Sequence, residues 1–232
     1  MRPGRVASPP RAAAAAGGAG GPAGSRALLL HGRGGSGPRF GEALAASPLG
    51  RELGLREAGA WVAPSGPVPL GAGPAGGSFA WWEFPPGVER SFLADEWLRS
   101  EEAIEIAAEA GRGCDVAIGF SQGAMLLAVL IALGKLPDLR CAVIAGAGWP
   151  RPYAEELAEF AARGRRPIGG GLNDPPKILH VSSEADTMNP LAQAQQVHRL
   201  LGGDFLEHGG GHVVPVEAEE LAKWVKLTRA PA

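Results

Sequence analysis

Cysteine is scarce in this chain of 232 residues: Cys114 and Cys141 are the only two. Each opens an apolar run, so both read as small buried hydrophobes and a disulfide framework is not indicated. Net charge is scarce as well. Lysine and arginine total 22 against 24 acidic residues, a formal charge of −2. That balance gives no reason to expect nucleic acid or an anionic membrane as partner. Long apolar runs are missing too. The longest, 123–134, falls short of the ~18 residues a membrane helix needs. No apolar stretch of ~7–15 residues marks an N-terminal secretion signal. Internal repeats are absent, and no acidic residue precedes Glu42. Residues 1–25 hold five consecutive alanines, many glycines and prolines, and arginines at 2, 5 and 11. With no hydrophobic periodicity, they read as a disordered leader. Arginine without acid also fits an organelle transit peptide, but serine is sparse and no amphipathic stretch is visible. The expectation is a leader over 1–25, one domain over 26–229 and a cytoplasmic location, with an organelle as the alternative.

What the chain does have begins at Gly119-Phe120-Ser121-Gln122-Gly123, a match to G-x-S-x-G. The pattern alone is weak, but its setting is not. The partly β-branched run 114–118 precedes it and an all-apolar run over 124–133 comes after. Strand, sharp turn and buried helix place Ser121 at the turn, with glycines on both sides where strand and helix come close. Such a turn exposes the hydroxyl and aims the Gln122 N–H at the position of a developing oxyanion.

After the leader, strand-like and helix-like segments alternate. Strands are expected at 27–31, 60–64, 114–120, 140–146, 177–182 and 204–207. Helices are expected at 40–54, 89–111, 122–134, 153–163, 190–201 and 217–227. Near-continuous apolar strands between helices indicate an α/β fold: a mostly parallel sheet of about six strands, covered on both faces. Segments 65–88 and 147–176, rich in proline and glycine, read as long loops over the C-terminal edge of the sheet. Ligands bind at that edge in such folds.

A serine hydroxyl needs a base beside it, and that base an orienting acid. In α/β-hydrolases the partners come in the order Ser, Asp/Glu, His. Asp186 lies past the 177–182 strand and His212 past the 204–207 strand, both at the edge that carries Ser121. His212 is favoured as base over His208, because three glycines before it leave room to turn toward the serine. Glu184 is the competing orienter. His208 and His212 also permit a metal-pair reading, but no further ligand stands at metal spacing, so no metal and no cofactor are expected. His180, inside a strand, reads as a satisfied core residue. The glycine-rich loop after His31 offers the Arg33 N–H as second oxyanion donor. That loop lacks both G-x-G-x-x-G and a P-loop lysine, which argues against nucleotide binding.

These residues resemble a known family. Leu30-His31-Gly32, Trp81-Trp82, Gly119-Phe-Ser-Gln-Gly-Ala124, the Leu179-His180-Val181 strand leading to Asp186, and Gly210-Gly211-His212-x-x-Pro215 are similar to the FSH serine hydrolases, a small α/β-hydrolase group. The resemblance covers roughly residues 26–226. The G-F-S-Q-G core is shared with acyl-protein thioesterases and small carboxylesterases. Where the family usually carries a Gln-Asn or Gln-Ser pair after His-Gly, this chain has Arg33-Gly34. The resemblance implies an α/β-hydrolase fold and an esterase with a triad on Ser121, Asp186 and His212, often acting on hydrophobic acyl esters. The expected partner is a small-molecule ester or thioester, with Trp81, Trp82 and Trp149 against its apolar group. The alternatives are an acyl-protein or lipid thioesterase and a non-catalytic ligand-binding α/β-hydrolase.

Overall fold

The computed structural model describes residues 25–71, 77–166, 175–217 and 219–229. The expected leader over 1–25, apart from Ser25, and the middle of segment 147–176 therefore lie outside the described residues. Ser25 is bonded to the domain. Its hydroxyl donates to the Asp115 carboxylate at 2.5 Å and the Arg26 N–H donates to the same group at 2.9 Å.

Six parallel strands form the central sheet: β1 (Ala27–Leu30), β2 (Trp61–Val62), β5 (Val116–Phe120), β6 (Cys141–Ala145), β7 (Lys177–Ser182) and β8 (Asp204–Glu207). Two further strands, β3 (Val68–Gly71) and β4 (Ser78–Ala80), pair antiparallel in a small separate sheet. They stand within a segment expected to be loop. The spatial order of the large sheet is β2-β1-β5-β6-β7-β8. The chain runs outward from β1 to β2 and returns on the other side of β1 as β5. The switch point of the topology thus lies between β1 and β5, where α/β sheets open a crevice at their carboxyl ends.

The continuous apolar strands result from burial on both faces. Leu28, Leu30, Ala117, Ala142 and Ile144 point into one core, with α3 (Ser100–Ala110), α4 (Gln122–Ala132), α5 (Ala154–Ala162) and α6 (Leu191–Leu201). Their neighbours Ala27, Leu29, Val116, Ile118 and Val143 point into the other, with α1 (Gly37–Ala46), α2 (Pro48–Glu52) and α7 (Glu219–Arg229). Every residue of α4 is buried, as its all-apolar sequence requires.

Two helix expectations are corrected. The helix expected at 40–54 is two, broken at Ser47. That residue is extended, its hydroxyl accepts the Gly50 N–H at 3.0 Å, and Pro48 starts the second helix. A residue before proline is pushed out of the helical region, and a serine there caps the next helix. The helix expected at 89–111 forms only from Ser100. Before it, Glu83 and Leu98 exchange two backbone hydrogen bonds, 3.0 and 3.2 Å, so this stretch spends its amides on an antiparallel bridge. Glu101 and Glu102 stand in the first turn of α3, where the helix dipole favours them.

Candidate active site

The elbow after β5 is built as its glycines demand. A Cβ on Gly119 would sit 2.5 Å from the Gly123 carbonyl oxygen, and one on Gly123 would sit 2.2 Å from that of Leu30. No larger residue fits either place. Between them Ser121 takes φ 54° and ψ −116°, a sparsely populated conformation held by the surrounding structure. Its N–H donates to the Ala145 carbonyl at 2.9 Å, which ties the turn to β6.

Three strand ends bring three side chains into line. The Ser121 Oγ lies 2.9 Å from His212 Nε2, and His212 Nδ1 lies 2.7 Å from Asp186 Oδ2. A carboxylate only accepts, so the Nδ1 proton points to Asp186. Nε2 is left with its lone pair toward the serine hydroxyl. The Asp186 side chain is 1% exposed and that of His212 19%, so the ring is reached from one side only. The other oxygen of Asp186 accepts the Met188 and Asn189 N–H groups, each at 2.8 Å. Three donors therefore surround this buried charge, which compensates its desolvation.

Glu184 is exposed and turned away from this arrangement. His208 uses its Nδ1 to accept the Gly210 N–H at 3.1 Å. Among the described residues no three His, Cys, Asp or Glu side chains gather in a way that could hold a metal ion. His180 is 1% exposed, its Nε2 donates to the Gly202 carbonyl at 3.0 Å, and burial pushes its pKa down to about 3. It is a core residue and stays neutral.

Arg33 lies just past β1 and Gln122 just past β5, on adjacent strands across the switch point. Among the described residues neither backbone N–H has a hydrogen-bond partner. The Arg33 side chain is turned to the 82–84 segment, with its guanidinium 4.5 Å from the centre of the Phe84 ring. An open cleft of about 810 Å³ lies beside this loop, lined in part by Gly32, Arg33, Arg39, Phe40, Ala43 and Phe120. Among the described residues it is built from the loop after β1, from α1 and from Phe120 of β5.

The tryptophan expectation is corrected for Trp81 and Trp82, while Trp149 is half-buried. Trp81 and Trp82 are 0% exposed and offer a substrate no face. Trp82 stacks on Trp97 with 3.8 Å between ring centres, and Trp149 packs on the same core. An aromatic pair in an irregular segment does not reveal which way it points, and here the apolar area is spent on the core.

Sequence reasoning missed three supports. Ser183, fully buried, accepts the Ala185 and Gly211 N–H groups at 3.1 Å each and so joins the Asp186 loop to the His212 loop. Asn189 donates to the Gly146 carbonyl at 2.7 Å. His31 accepts the Gly66 N–H on Nε2 at 3.0 Å and donates from Nδ1 to the Gly32 carbonyl at 2.7 Å. Ser183 and Asn189 are small polar residues in a loop, too common a signal to single them out, and His31 was visible in Leu30-His31-Gly32 without its supporting bonds being legible.

Comparisons with known proteins agree with this geometry. The model of the family described as serine hydrolase (FSH1) matches residues 23–224. Esterase OVCA2 of Bos taurus is 33% identical over 175 residues, 70% of this chain and 71% of that protein. The match to the Mus musculus form, also 33% identical, covers 55% of each chain, so the present chain spans about half the length of that relative. Among solved structures, the Bacillus cereus carboxylesterase superposes with a TM-score of 0.55 at 22% identity, over 88% of both chains. The Zea mays acyl-protein thioesterase 2 superposes with 0.54 at 19% identity, over 88% of this chain and 93% of that one. At such identities these two establish the α/β-hydrolase fold.

Proposed function

The chain belongs to the serine hydrolase (FSH1) family, and from that premise we propose that it is an esterase whose nucleophile is Ser121. The observation that carries this reading is the unbroken Ser121–His212–Asp186 line, at 2.9 and 2.7 Å, on a strained turn. Ser121 Oγ attacks the ester carbonyl carbon while His212 Nε2 takes the hydroxyl proton. The carbonyl oxygen gains the electron pair and faces the N–H groups of Arg33 and Gln122. Collapse breaks the bond to the leaving oxygen, which receives the proton from His212 and departs as the alcohol, leaving an acyl-serine. Water, deprotonated by His212, then repeats the sequence in reverse and releases the acid. Asp186 holds the tautomer and stabilises the charged ring throughout.

The substrate is a carboxylic ester with an apolar acyl or alkyl group. Among the described residues the exposed large apolar side chains are Leu70, Leu93, Met188 and Val213. Met188 donates its N–H to Asp186 and Val213 is next in the chain after His212, so apolar surface stands beside the reacting atoms. The sulfur analogue, a thioester, suits the same chemistry. The solved thioesterase of the same fold makes it the first alternative to assay.

Replacing Ser121 by Ala should lower kcat by about 10⁴–10⁶-fold, by analogy with loss of a triad nucleophile. A fluorophosphonate probe should label the wild type at Ser121 and leave the variant unlabelled. Turnover retained by Ser121→Ala would overturn the assignment.

A further inference from the structure

The two tryptophans that proved useless for binding substrate occupy a position of another kind. Trp81 donates its backbone N–H to Gln122 Oε1 at 2.9 Å and its indole Nε1–H to the His31 carbonyl at 2.7 Å. The Trp82 carbonyl accepts from Arg33 Nη1 at 3.4 Å and from Gln122 Nε2 at 3.5 Å. His31 and Trp81 stack with ring centres 4.9 Å apart, and the His31 ring is itself fixed at both nitrogens. His31, Trp81, Trp82 and Gln122 are each no more than 2% exposed.

All four of the bonds made by the dipeptide 81–82 run to one of two segments: the loop 31–33 after β1 or the elbow residue Gln122. Those are the segments that carry the two proposed oxyanion donors. A tryptophan serving only to fill the core has no need to spend both its N–H groups on these two places. Trp224 makes the contrast: its Nε1–H goes to the Asp204 carboxylate at 2.6 Å, and its ring packs against the core on the other face of the sheet. Burial makes the arrangement stiff, because breaking any member leaves a desolvated polar group without a partner.

We propose that Trp81 is a positioning residue that fixes the distance between the Arg33 and Gln122 N–H groups, with the Gln122 side chain as its counterpart. The proposal rests on the serine esterase reading above. Electrostatic stabilisation of a developing oxyanion depends on donors held in place before the charge forms, and a shift of about 1 Å costs on the order of 10²-fold. Trp81 touches no reacting atom and works through the two segments it joins.

The test uses Trp81→Phe, which removes the indole donor, and Gln122→Met, which removes the acceptor but keeps length and backbone N–H. Trp224→Phe serves as control for the loss of an indole bond away from both segments. For a p-nitrophenyl ester, each of the first two variants should lower kcat by roughly 10–100-fold, since one misplaced donor is involved. KM should stay within about twofold, as ground-state binding is untouched. The inhibition constant of a trifluoromethyl ketone, whose hemiketal oxyanion occupies the same place, should rise by the same factor as kcat falls. Trp224→Phe should leave kcat unchanged, whatever it does to the thermal midpoint. If Trp81→Phe does not fold, Gln122→Met decides. Variants that lose thermal stability but keep kcat and ketone affinity would overturn the inference. Ser121→Ala, run alongside, separates the two readings. If it retains turnover, the esterase mechanism itself fails. If it is inactive while both positioning variants are fully active, only this inference fails.

Discussion

At the scale of single residues, the site depends on places where a side chain would not fit. Gly119 and Gly123 are the evident cases, and both were legible in the sequence because G-x-S-x-G states a steric requirement directly. Gly146 was not legible. It ends β6, takes φ +59°, and a Cβ there would stand 3.3 Å from two atoms of the His212 ring and 3.4 Å from Phe120. Its carbonyl is held by Asn189, whose own N–H is on Asp186. Gly146 thus forms the floor on which the His212 ring rests. Gly146→Ala should bring two effects of different size. The left-handed conformation costs a side chain about 1–2 kcal/mol, so the thermal midpoint should fall by roughly 2–8 °C for a domain of this size. The methyl group also pushes on the ring whose alignment sets proton transfer, so kcat should fall by more than about tenfold. Stopped-time assays and a melting curve on the same preparation check this. A variant that melts lower but turns over normally would show that His212 tolerates the shift. Trp81 and Trp82 teach the complementary lesson. Their type was visible, but not the direction in which they face, because that is set by a bridge between Glu83 and Leu98 that no local pattern announces.

At the scale of elements, legibility depends on how completely an element is buried. Strands β1, β5, β6 and β7 lie between two layers of helices and read as apolar runs, so their positions were found to within two residues at each end. Helices with one apolar stripe were found where no competing signal intervened. Where Ser47-Pro48 interrupts, or where Phe92 packs on the core from a single 3-10 turn and Trp97 from non-helical chain beside the bridge, apolar spacing imitated an α-helix that does not form. β3 and β4 were missed because proline and glycine in a short antiparallel pair look like loop. One element carries a consequence for stability. His180, in β7, forms a three-ring cluster with Phe205 and His198. Its Nδ1 has no partner among the described residues. Burial, and after it the nearby His198, lower its pKa to about 3. In the unfolded chain the same ring titrates near its ordinary value of 6.5. Between these values the unfolded state binds the extra proton, so stability must fall as pH drops from about 6.5 toward 3, by up to about 1.4 kcal/mol per pH unit from this one group. Above 6.5 both states are neutral and the effect vanishes. Denaturant midpoints at pH 7.5, 6 and 5 should decline in wild type, and the decline should be shallower in His180→Leu. Equal slopes would mean that the ring is protonated in the native state.

At the scale of the whole molecule, the fold delivers every proposed catalytic group to one edge of one sheet. Arg33, Ser121, Asp186 and His212 lie past the ends of β1, β5, β7 and β8, and the switch between β1 and β5 opens the crevice in which two of them meet. What the fold leaves uncovered at that edge bears on the substrate. Met188 is 47% exposed and Val213 45%, each in the segment of a proposed catalytic residue. Arg90 donates to the Met188 sulfur at 3.0 Å and leads into the turn that ends at Leu93, 55% exposed. Met188 and Val213 thus give an apolar rim on the side of Asp186 and His212, and the cleft on the Arg33 side is lined by charged and apolar side chains alike. An apolar chain gains by lying on that rim, and each methylene it buries is worth roughly 0.8 kcal/mol, or up to about fourfold in kcat/KM. Across p-nitrophenyl esters from acetate to laurate, kcat/KM should therefore climb with chain length and then level off where the rim ends. Met188→Gln and Val213→Asn should flatten the climb. Acetate hydrolysed as well as the longer esters would show that the rim is not used. A slope that survives both rim variants would move the apolar contact to the Phe40 and Phe120 side of the cleft.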